Sequence, residues 1–264
     1  TIGFSPEDAE LFSQLVNKNS GLILVTGPTG SGKSTTLYAA LQEIKKREIN
    51  IITVEDPVEY HIDGILQIQV NPSIDYTFAR ALKNILRHDP DSIMIGEIRD
   101  AETAKMAVES SLTGHLVLST LHTNSAASTI TRLLEIGIQS YLLNSTLLAV
   151  LAQRLVKRNC SECLEEEIVP AVVRKALNIS DDEVFYKGKG CDACHGTGHA
   201  GRLAAYELLE ITPDIRELIQ PKANATDIEK AAIEYGMKPL TEHALSLARQ
   251  KLTSLEEVYR VRLS

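Results

Sequence analysis

The sequence predicts an α/β protein built around a parallel sheet, and three observations support this fold class. Residues 22–26 form an apolar run of strand type that leads directly into GPTGSGKS at 27–34, a G-x-x-x-x-G-K-[ST] loop of the kind found between a strand and a helix. Apolar runs at 50–54 and 92–96 alternate with segments of helical periodicity. Each of these two runs is followed by charged residues. Strands that alternate with helices and carry functional residues at their ends are typical of a parallel sheet.

The glycine-rich loop predicts a nucleotide triphosphate site, which we interpret as an ATP site. Glycines let the backbone curl until its N–H groups face a phosphate, Lys33 neutralises the outer phosphates, and Ser34 can hold Mg²⁺. A chance glycine-rich turn is the alternative, but all the defining residues are present and a helix is predicted to follow at 34–46. The residues expected to contact nucleotide here are Gly27, Thr29, Gly30, Ser31, Gly32, Lys33, Ser34 and Thr35.

Composition and charge exclude several classes of protein. With 264 residues, 44% of them hydrophobic, the chain is long enough for one large domain and a smaller appendage. Its formal net charge is −8, whereas a nucleic-acid translocase is expected to carry a basic footprint, so we do not expect nucleic acid as a partner. No run of about 18 uncharged apolar residues and no signal-peptide pattern is present, which predicts a soluble intracellular protein. Because the first residue is Thr rather than Met, we expect the sequence to be part of a longer protein.

Acidic residues follow the second predicted strand. Glu55, Asp56 and Glu59 lie in the segment EDPVE, directly after residues 50–54. In an open parallel sheet, ligands bind outside the carboxyl ends of the strands, so these acids and the glycine-rich loop are expected to share one crevice. A solvated acidic turn is the alternative interpretation.

Glu97 follows the apolar run at 92–96, in the position of the acidic residue of a Walker B motif. A carboxylate at this strand end can hold the water shell of Mg²⁺ or orient the water that attacks the γ-phosphate. A structural role for Glu97 is the alternative.

Two histidines flank the next predicted strand, at 115–119. His115 and His122 would lie at opposite ends of this strand, so they are not expected to share a metal. His122 is at the carboxyl end, where it could sense a γ-phosphate by hydrogen bonding. A structural role stays open for both residues.

Helices are predicted between and after these strands. The residue pattern indicates helices at 5–17, 77–87, 101–112 and 128–136. Residues 141–151 are apolar nearly all round, which predicts a buried helix that completes a core with four or five strands.

Four cysteines form two C-x-x-C pairs, which predict a metal site. Their spacing allows four thiolates to surround Zn²⁺ in a tetrahedron. Because four ligands leave no open position, the metal would be structural, and its subdomain would not form without it. Two disulfides or free thiols are the alternatives. The predicted ligands are Cys160, Cys163, Cys191 and Cys194.

Beyond Arg202 the sequence predicts a return to helices. A Thr-Pro helix start stands at 212–213, and capping-box patterns stand at 226–229 and 254–257. We therefore expect three parts, which are an ATPase core at 1–155, a tetracysteine metal-binding module at 156–206 and a C-terminal helical subdomain at 207–264.

Five segments resemble one known family. The chain resembles the secretion ATPases of the GspE/PilB type, which drive type II secretion and type IV pilus assembly, in nearly its whole length and in the family's order. A pilus retraction motor resembles the first part but lacks the tetracysteine module, so the assembly and secretion branch fits better. The matching segments are GLILVTGPTGSGKSTTLYAAL at 21–41, ITVEDPVEY at 52–60, DPDSIMIGEIRDAETA at 89–104, TGHLVLSTLHTNSA at 113–126 and the tetracysteine segment that ends in GRLAAYELL at 201–209.

The resemblance implies a fold, partners and a cellular location. The fold is a RecA-like P-loop NTPase domain in a homo-hexameric ring, with ATP between subunits, and hydrolysis is coupled to rotation of an inner-membrane platform protein. A cytoplasmic adaptor of the machine is a further implied partner. The protein would be cytoplasmic and peripheral on the inner membrane, and its cofactors would be ATP or ADP, Mg²⁺ and Zn²⁺.

The resemblance also implies roles for site residues, each at the position that matches the family motif. Lys33 and Ser34 hold phosphates and Mg²⁺, and His122 reads the γ-phosphate. Glu59 or Glu97 prepares the attacking water, and the choice between these two glutamates stays open. The remaining two residues, Glu55 and Asp56, support the metal shell.

Two departures from the family pattern modify these expectations. Lys83 stands where many relatives carry Arg, and a lysine cannot make the same forked contact. The family also has an N-terminal domain that supplies arginines to the nucleotide, and the sequence starts just before the P-loop strand. Such arginines contribute about 10³-fold or more to phosphoryl transfer. We therefore expect this chain alone to bind nucleotide, to hydrolyse it poorly and not to form a stable hexamer.

Two other functional classes stay open at this stage. One is a RecA-like nucleic-acid translocase, which the acidic charge disfavours. The other is a non-enzymatic adaptor in which the P-loop only senses nucleotide and the zinc module does the binding. The presence of Lys33, Ser34, Glu59 and Glu97 together disfavours the adaptor.

Overall fold

The structure, a computed structural model, describes residues 3–263. The chain divides into two compact units. The first unit takes the chain up to 29 together with 33–152 and 208–237, and the second takes 30–32, 153–207 and the chain from 238 onward. The three-part division expected from the sequence stays a prediction.

Residues 3–146 alternate between helices and strands. A short 3-10 turn at Pro72–Ile74 precedes the third helix. The elements are α1 (Pro6–Val16), β1 (Gly21–Thr26), α2 (Lys33–Lys45), β2 (Ile51–Glu55), β3 (Leu66–Gln69), α3 (Phe78–Ile85), β4 (Ser92–Ile95), α4 (Ala101–Leu112), β5 (Leu116–Leu121), α5 (Ala126–Glu135) and α6 (Ser140–Thr146).

The later part of the chain contains two long strands, a small two-stranded antiparallel sheet and the C-terminal helices. Both cysteine pairs form 3-10 turns, at Ser161–Cys163 and Asp192–Cys194. The elements are β6 (Leu147–Asn159), β7 (Leu164–Glu166), α7 (Ala171–Leu177), β8 (Tyr186–Gly188), β9 (His199–Glu210), α8 (Pro213–Leu218), α9 (Ala225–Glu234), α10 (Leu240–Arg249) and α11 (Leu255–Leu263).

The main sheet has the strand order β3-β2-β4-β5-β1-β6-β9. In the first unit, β1 pairs in parallel with β5 and β6, β2 pairs in parallel with β3 and β4, and β4 pairs in parallel with β5. Every residue of β1, β2, β4 and β5 is buried, as expected for a parallel sheet covered on both faces. The parallel arrangement predicted from the sequence is confirmed, and the carboxyl ends of these strands lie on the same edge.

An N-cap hydrogen bond and a buried apolar face account for two helices of the first unit. Ser5 caps α1, because its side chain accepts a hydrogen bond from the backbone N–H of Asp8. In α2, Leu37, Leu41 and Ile44 recur at the spacing of one helical face, and all three are buried. This face anchors the helix that starts at the glycine-rich loop.

The buried helix predicted at 141–151 is wrong beyond residue 146. Helix α6 ends at Thr146, and the chain continues as β6, in which Leu147 pairs with Leu22 and Ala152 pairs with Thr26. A short apolar run is compatible with a buried strand as well as with a buried helix. The strand prevails here because β1 needs a hydrogen-bonding neighbour on this side. The sheet consequently exceeds the four or five strands expected.

The predicted return to helices beyond Arg202 is also wrong at its start, because β9 continues to Glu210 before α8 begins. The Thr212 cap is confirmed. Helix α9 is capped by Asn224 rather than by Thr226. Polar and apolar residues mix in β9, so no clear strand period distinguishes it in the sequence.

The capping box predicted at 254–257 is half formed. The Ser254 hydroxyl accepts from the backbone N–H of Glu257 at 3.4 Å. The Glu257 carboxylate instead accepts from the backbone N–H of Lys157 at 2.8 Å. A contact with a distant residue has replaced the local return bond. Among residues 3–263, no helix is both long enough and apolar enough to cross a bilayer.

Candidate active site and metal centre

The glycine-rich loop connects β1 to α2 with a backbone that glycine favours. Gly27, Gly30 and Gly32 have φ values of +145°, +76° and +88°. Helix α2 begins at Lys33, whose ammonium group donates to the carbonyl oxygens of Gly27 at 2.9 Å and Pro28 at 3.0 Å. The ammonium group therefore lies over the start of the loop, where it can neutralise a bound phosphate.

The loop residues fit a phosphate and its metal. Ser31 Oγ is buried and has no hydrogen-bond partner in the described part of the chain, so it is free to meet a ligand. A Cβ at Gly32 would lie 2.7 Å from Nε2 of Gln153, and this amide donates to the carbonyl of Ser31 at 2.8 Å. Gly32 is therefore needed for the shape of the loop. Ser34 and Thr35 are exposed in the first turn of α2, where a hydroxyl can bind Mg²⁺.

A cluster of charged residues lies at the carboxyl ends of β2, β4 and β5. Nε2 of His122 lies 3.1 Å from Oε2 of Glu97, and Arg99 forms an ion pair with Oε1 of the same carboxylate. Arg99 also lies 3.5 Å from Oδ2 of Asp56. The Glu97 side chain is only 17% exposed, against 47% for His122. The structure thus brings together three of the residues singled out from the sequence, and Arg99 connects two of them.

Arg99 was missed by the sequence reasoning, which considered only carboxylates and histidines at the strand ends. The available signal was its position two residues after Glu97, in the same strand-end loop. A cation between two acids lowers their mutual repulsion, so it stabilises a site that collects carboxylates.

The hydrogen-bond partners of Glu55 are residues outside this cluster. Its side chain is 3% exposed and accepts hydrogen bonds from the Tyr38 hydroxyl, from Thr53 Oγ1 at 2.6 Å and from Gln67 Nε2 at 3.1 Å. Glu59, four residues later, has an exposed side chain, and its backbone N–H donates to the Tyr38 hydroxyl at 3.2 Å. The part predicted for Glu55 in the metal shell stays a prediction.

A chain of threonine hydroxyls fixes the turn that carries His122. Thr26, the last residue of β1, accepts from the backbone N–H of Thr123 at 2.9 Å, and the two hydroxyls lie 2.7 Å apart. The Thr123 hydroxyl lies 2.6 Å from that of Thr129 in α5. Because Thr26 directly precedes Gly27, this chain joins the histidine turn to the start of the phosphate loop. No local sequence signal indicated it.

His115 lies at the other end of β5 from His122, as predicted. Its Nδ1 lies 2.9 Å from the carbonyl oxygen of Ser110, at the end of α4. This bond joins the helix end to the start of the strand, so His115 has a structural contact and is remote from the charged cluster.

The four cysteines converge in the second unit. The Sγ atoms of Cys160 and Cys191 are 3.9 Å apart, those of Cys163 and Cys194 are 3.9 Å apart, and those of Cys191 and Cys194 are 3.7 Å apart. Four sulfurs at about 2.3 Å from a tetrahedral zinc ion would be separated by about 3.8 Å. All four thiols are free, so the predicted clustering is confirmed and the alternative of two disulfides is wrong.

The thiols sit in two tight turns with backbone donors. Backbone N–H groups of Cys191 and Gly198 donate to the Cys194 thiol at 3.1 Å and 3.2 Å, and they lower its pKa to about 6. Burial raises the pKa of Cys163 to about 12. A Cβ at Gly188 would lie 1.9 Å from the Gly198 carbonyl oxygen, so the two backbones approach closely only because no side chain intervenes. The donor set and spacing fit a closed zinc site.

A comparison with known protein families shows which family the chain belongs to. The family model described as "Type II/IV secretion system protein" matches residues 1–260. The chain belongs to this family. The resemblance found in the sequence motifs is therefore confirmed.

The relatives in this family include proteins named for type II secretion and proteins named for type IV pilus assembly. The chain is 49% identical over 263 residues to "Type II secretion system ATPase E" of Vibrio cholerae, covering 99% of this chain and 52% of that protein. It is 50% identical over 262 residues to "Type IV pilus assembly ATPase PilB" of Thermus thermophilus, covering 97% of this chain and 29% of that protein. The chain thus spans about half the length, or less, of these relatives.

Solved structures confirm the α/β fold. The structure of the pilus retraction motor PilT with bound ADP has a TM-score of 0.73 and 31% identity, covering 98% of this chain and 65% of that one. The ATPase DotB of Legionella pneumophila has the same TM-score at 24% identity, covering 99% and 64%. The DotB match is a likeness of fold alone.

Proposed function

We propose that this protein is an ATP-hydrolysing motor that powers either the assembly of pilus or pseudopilus subunits or type II protein secretion. The observation that carries the proposal is the cluster of Asp56, Glu97, Arg99 and His122 at the carboxyl ends of β2, β4 and β5. Strand β1 lies beside β5 in the same sheet and leads at the same edge into the glycine-rich loop.

Each group in this arrangement has a distinct task. The loop at 27–34 binds the triphosphate of ATP, with Lys33 on the outer phosphates and Ser34 on Mg²⁺. Asp56 and Glu97 hold the water shell of the metal, and His122 donates to the γ-phosphate. Mg²⁺ supplies neutralisation of the charge that develops on the phosphates.

We assign Glu59 as the residue that orients the attacking water. Contacts with Arg99 on one oxygen and with His122 on the other hold the Glu97 carboxylate in place, and its remaining lone pairs suit the fixed waters of the metal shell. The exposed Glu59 side chain forms no ion pair with any described residue, so its carboxylate is available to a water molecule. The two glutamates thereby divide the work, with Glu97 on the metal and Glu59 on the water.

We further propose a homo-hexamer that acts on an inner-membrane platform protein and a cytoplasmic adaptor, from the cytoplasmic face of the membrane. Cys160, Cys163, Cys191 and Cys194 hold a structural Zn²⁺ in this assembly. Relatives named for type II secretion and for pilus assembly are almost equally similar, at 49% and 50% identity. Deletion of the gene, scored for pili and for secreted folded proteins, separates these two outcomes.

Nucleotide binding and single-turnover hydrolysis test the proposal. We expect Lys33→Ala to lose ATP binding, and we expect Glu59→Gln and Glu97→Gln to bind ATP but hydrolyse it about 10²-fold more slowly or worse. Glu97→Gln should in addition require more Mg²⁺, whereas Glu59→Gln should not. Glu109→Gln, an exposed glutamate on α4, is the matched control and should behave as the unsubstituted protein.

Three outcomes would contradict the proposal. Hydrolysis by the Glu97→Gln variant at the rate of the unsubstituted protein would show that the cluster takes no part in the reaction. Strong stimulation of turnover by DNA or RNA would favour a nucleic-acid translocase. Full activity in cells of a Lys33→Ala protein that no longer binds nucleotide would favour a non-enzymatic adaptor.

A further inference from the structure

Tyr38 is a residue of α2, the helix that follows the phosphate loop, and it contacts the segment that carries Glu59. It is five residues beyond Lys33 in α2, and its side chain is 2% exposed. Its hydroxyl donates to Oε2 of Glu55, the last residue of β2, and accepts from the backbone N–H of Glu59 at 3.2 Å. A phenol can donate one hydrogen bond and accept others, so both roles are satisfied together.

Glu55 orients this phenol. The carboxyl group of Glu55 is buried, and its Oε1 accepts from Thr53 and Gln67, which leaves Oε2 for Tyr38. A buried carboxyl group needs such donors because its desolvation is otherwise unfavourable. Burial, reinforced by the hydrogen bond to Glu55, raises the pKa of Tyr38 to about 12, so the phenol keeps its proton at neutral pH.

The segment after β2 has further contacts that hold its backbone. Gln67 Nε2 donates to the carbonyl of Tyr60 at 3.1 Å, and Gln67 Oε1 accepts from the backbone N–H of Ile62 at 2.7 Å. The ring of Tyr60 packs edge-on against that of Tyr38, with centroids 4.5 Å apart. Among these contacts, the Tyr38 hydroxyl is the one that meets the backbone of Glu59 itself and also belongs to the helix that starts at Lys33.

We propose that Tyr38 is a positioning residue for hydrolysis: its hydroxyl fixes the backbone of Glu59 relative to the phosphate-loop helix. This inference rests on the proposed role of Glu59. Tyr38 contacts neither phosphate nor water. It acts by holding the base at one distance from the nucleotide, and a misplacement of about 1 Å is enough to cost up to about 10²-fold in rate.

Tyr38→Phe tests the inference because it keeps the ring and removes only the hydroxyl. We expect kcat for ATP hydrolysis to fall about 10-fold while KM for ATP changes little. The melting temperature should also fall, because the buried Glu55 carboxylate loses one of its donors. Tyr60→Phe is the matched control, because it removes the hydroxyl of an exposed neighbouring tyrosine. The backbone N–H of Glu59 donates to the Tyr38 hydroxyl and not to that of Tyr60. The kcat of Tyr60→Phe should stay within about twofold.

A double-mutant cycle with Glu59→Gln separates positioning from a general structural effect. If Tyr38 acts through Glu59, the Tyr38→Phe substitution should cost nothing further in a Glu59→Gln protein. Equal and additive losses in both backgrounds would overturn the inference, and so would an unchanged kcat in Tyr38→Phe. If Tyr38→Phe does not fold, Tyr38→Phe is combined with Glu55→Gln, which removes the unpaired carboxylate. Glu55→Gln alone is then the reference, and we expect kcat to fall about 10-fold from that reference.

The inference and the proposed function fail in different ways. Loss of turnover in Glu59→Gln with normal turnover in Tyr38→Phe overturns only the positioning role. Normal turnover in Glu59→Gln overturns the assignment of Glu59 and the inference with it. Normal turnover in Glu97→Gln overturns the proposed function.

Discussion

Nε2 of His122 lies within hydrogen-bond distance of the Glu97 carboxylate, at 3.1 Å, although the two residues belong to loops after different strands. Strand β4 delivers Glu97 and strand β5 delivers His122, and these strands are neighbours in the sheet. The pair therefore follows directly from the parallel order of the strands. It places a proton donor beside the carboxylate that we assign to the metal.

His122→Ala should reduce ATP hydrolysis about 10²-fold while nucleotide binding stays within a few fold, because the imidazole meets the γ-phosphate only after the loop has bound it. Single-turnover kinetics and a binding titration measure the two effects separately. His115→Ala, at the opposite end of β5, is the control and should leave turnover unchanged. Equal rates of ATP hydrolysis in His122→Ala and His115→Ala would show that His122 takes no part in the reaction.

Thr26→Val should destabilise the protein, because valine has the shape of threonine but leaves the backbone N–H of Thr123 without its acceptor. A buried hydrogen bond lost in this way costs about 1–3 kcal/mol in the free energy of unfolding, which urea denaturation can measure. Thr113→Val, on an exposed helix end, should cost less than about 0.5 kcal/mol. If both variants lose the same amount, the hydroxyl chain does not support the histidine turn.

Zinc should be present at one ion per chain, and Cys163→Ser should bind it much more weakly. Three thiolates and one hydroxyl form a poorer tetrahedral site, and the folding of the second unit is coupled to the metal. Elemental analysis and thermal unfolding, with and without a chelator, measure both effects. Ser161→Ala, an exposed neighbour between the paired cysteines, serves as the control. Full stability of the metal-free protein would show that the thiols need no ion.

Glu183→Gln should weaken the second unit in a pH-dependent manner. Arg249 donates to the Glu183 carboxylate at 2.8 Å and lowers its pKa from the usual value. A lowered pKa in the folded state means that the ion pair contributes stability above the unfolded pKa, and that this contribution disappears as the pH falls through the folded pKa. The variant should lose less than about 1 kcal/mol at pH 7, and the loss should disappear once the pH has fallen below the folded pKa of Glu183. A loss that persists in acid would point to packing rather than charge.

The sequence predicted those parts of the fold that depend on neighbouring residues. The glycine-rich loop, the acid after β4 and the cysteine pairs are local patterns, and each determines its own geometry. Residues 147–151, the first part of β6, were predicted as a helix because an apolar run carries no information about which element will pair with it. The strand that pairs with β6 is β1, which lies more than a hundred residues earlier in the chain.

The supporting residues of the site were beyond sequence reasoning for the same reason. Thr26 and Thr123 are 97 positions apart, and Tyr38 and the backbone N–H of Glu59 are 21 apart. Threonine at a strand end and tyrosine in a helix are ordinary residues until the fold brings their partners close. Arg99 differs, since it stood within a recognised motif and only its role was overlooked.

A structure of the protein with a non-hydrolysable ATP analogue and Mg²⁺ tests the central claim most directly. The account predicts the β- and γ-phosphates in the loop at 27–34, with Ser34 on the metal, Glu97 at its water shell, and His122 and Glu59 facing the γ-phosphate. A triphosphate bound in the loop with Glu59, Glu97 and His122 all directed away from the γ-phosphate would contradict it.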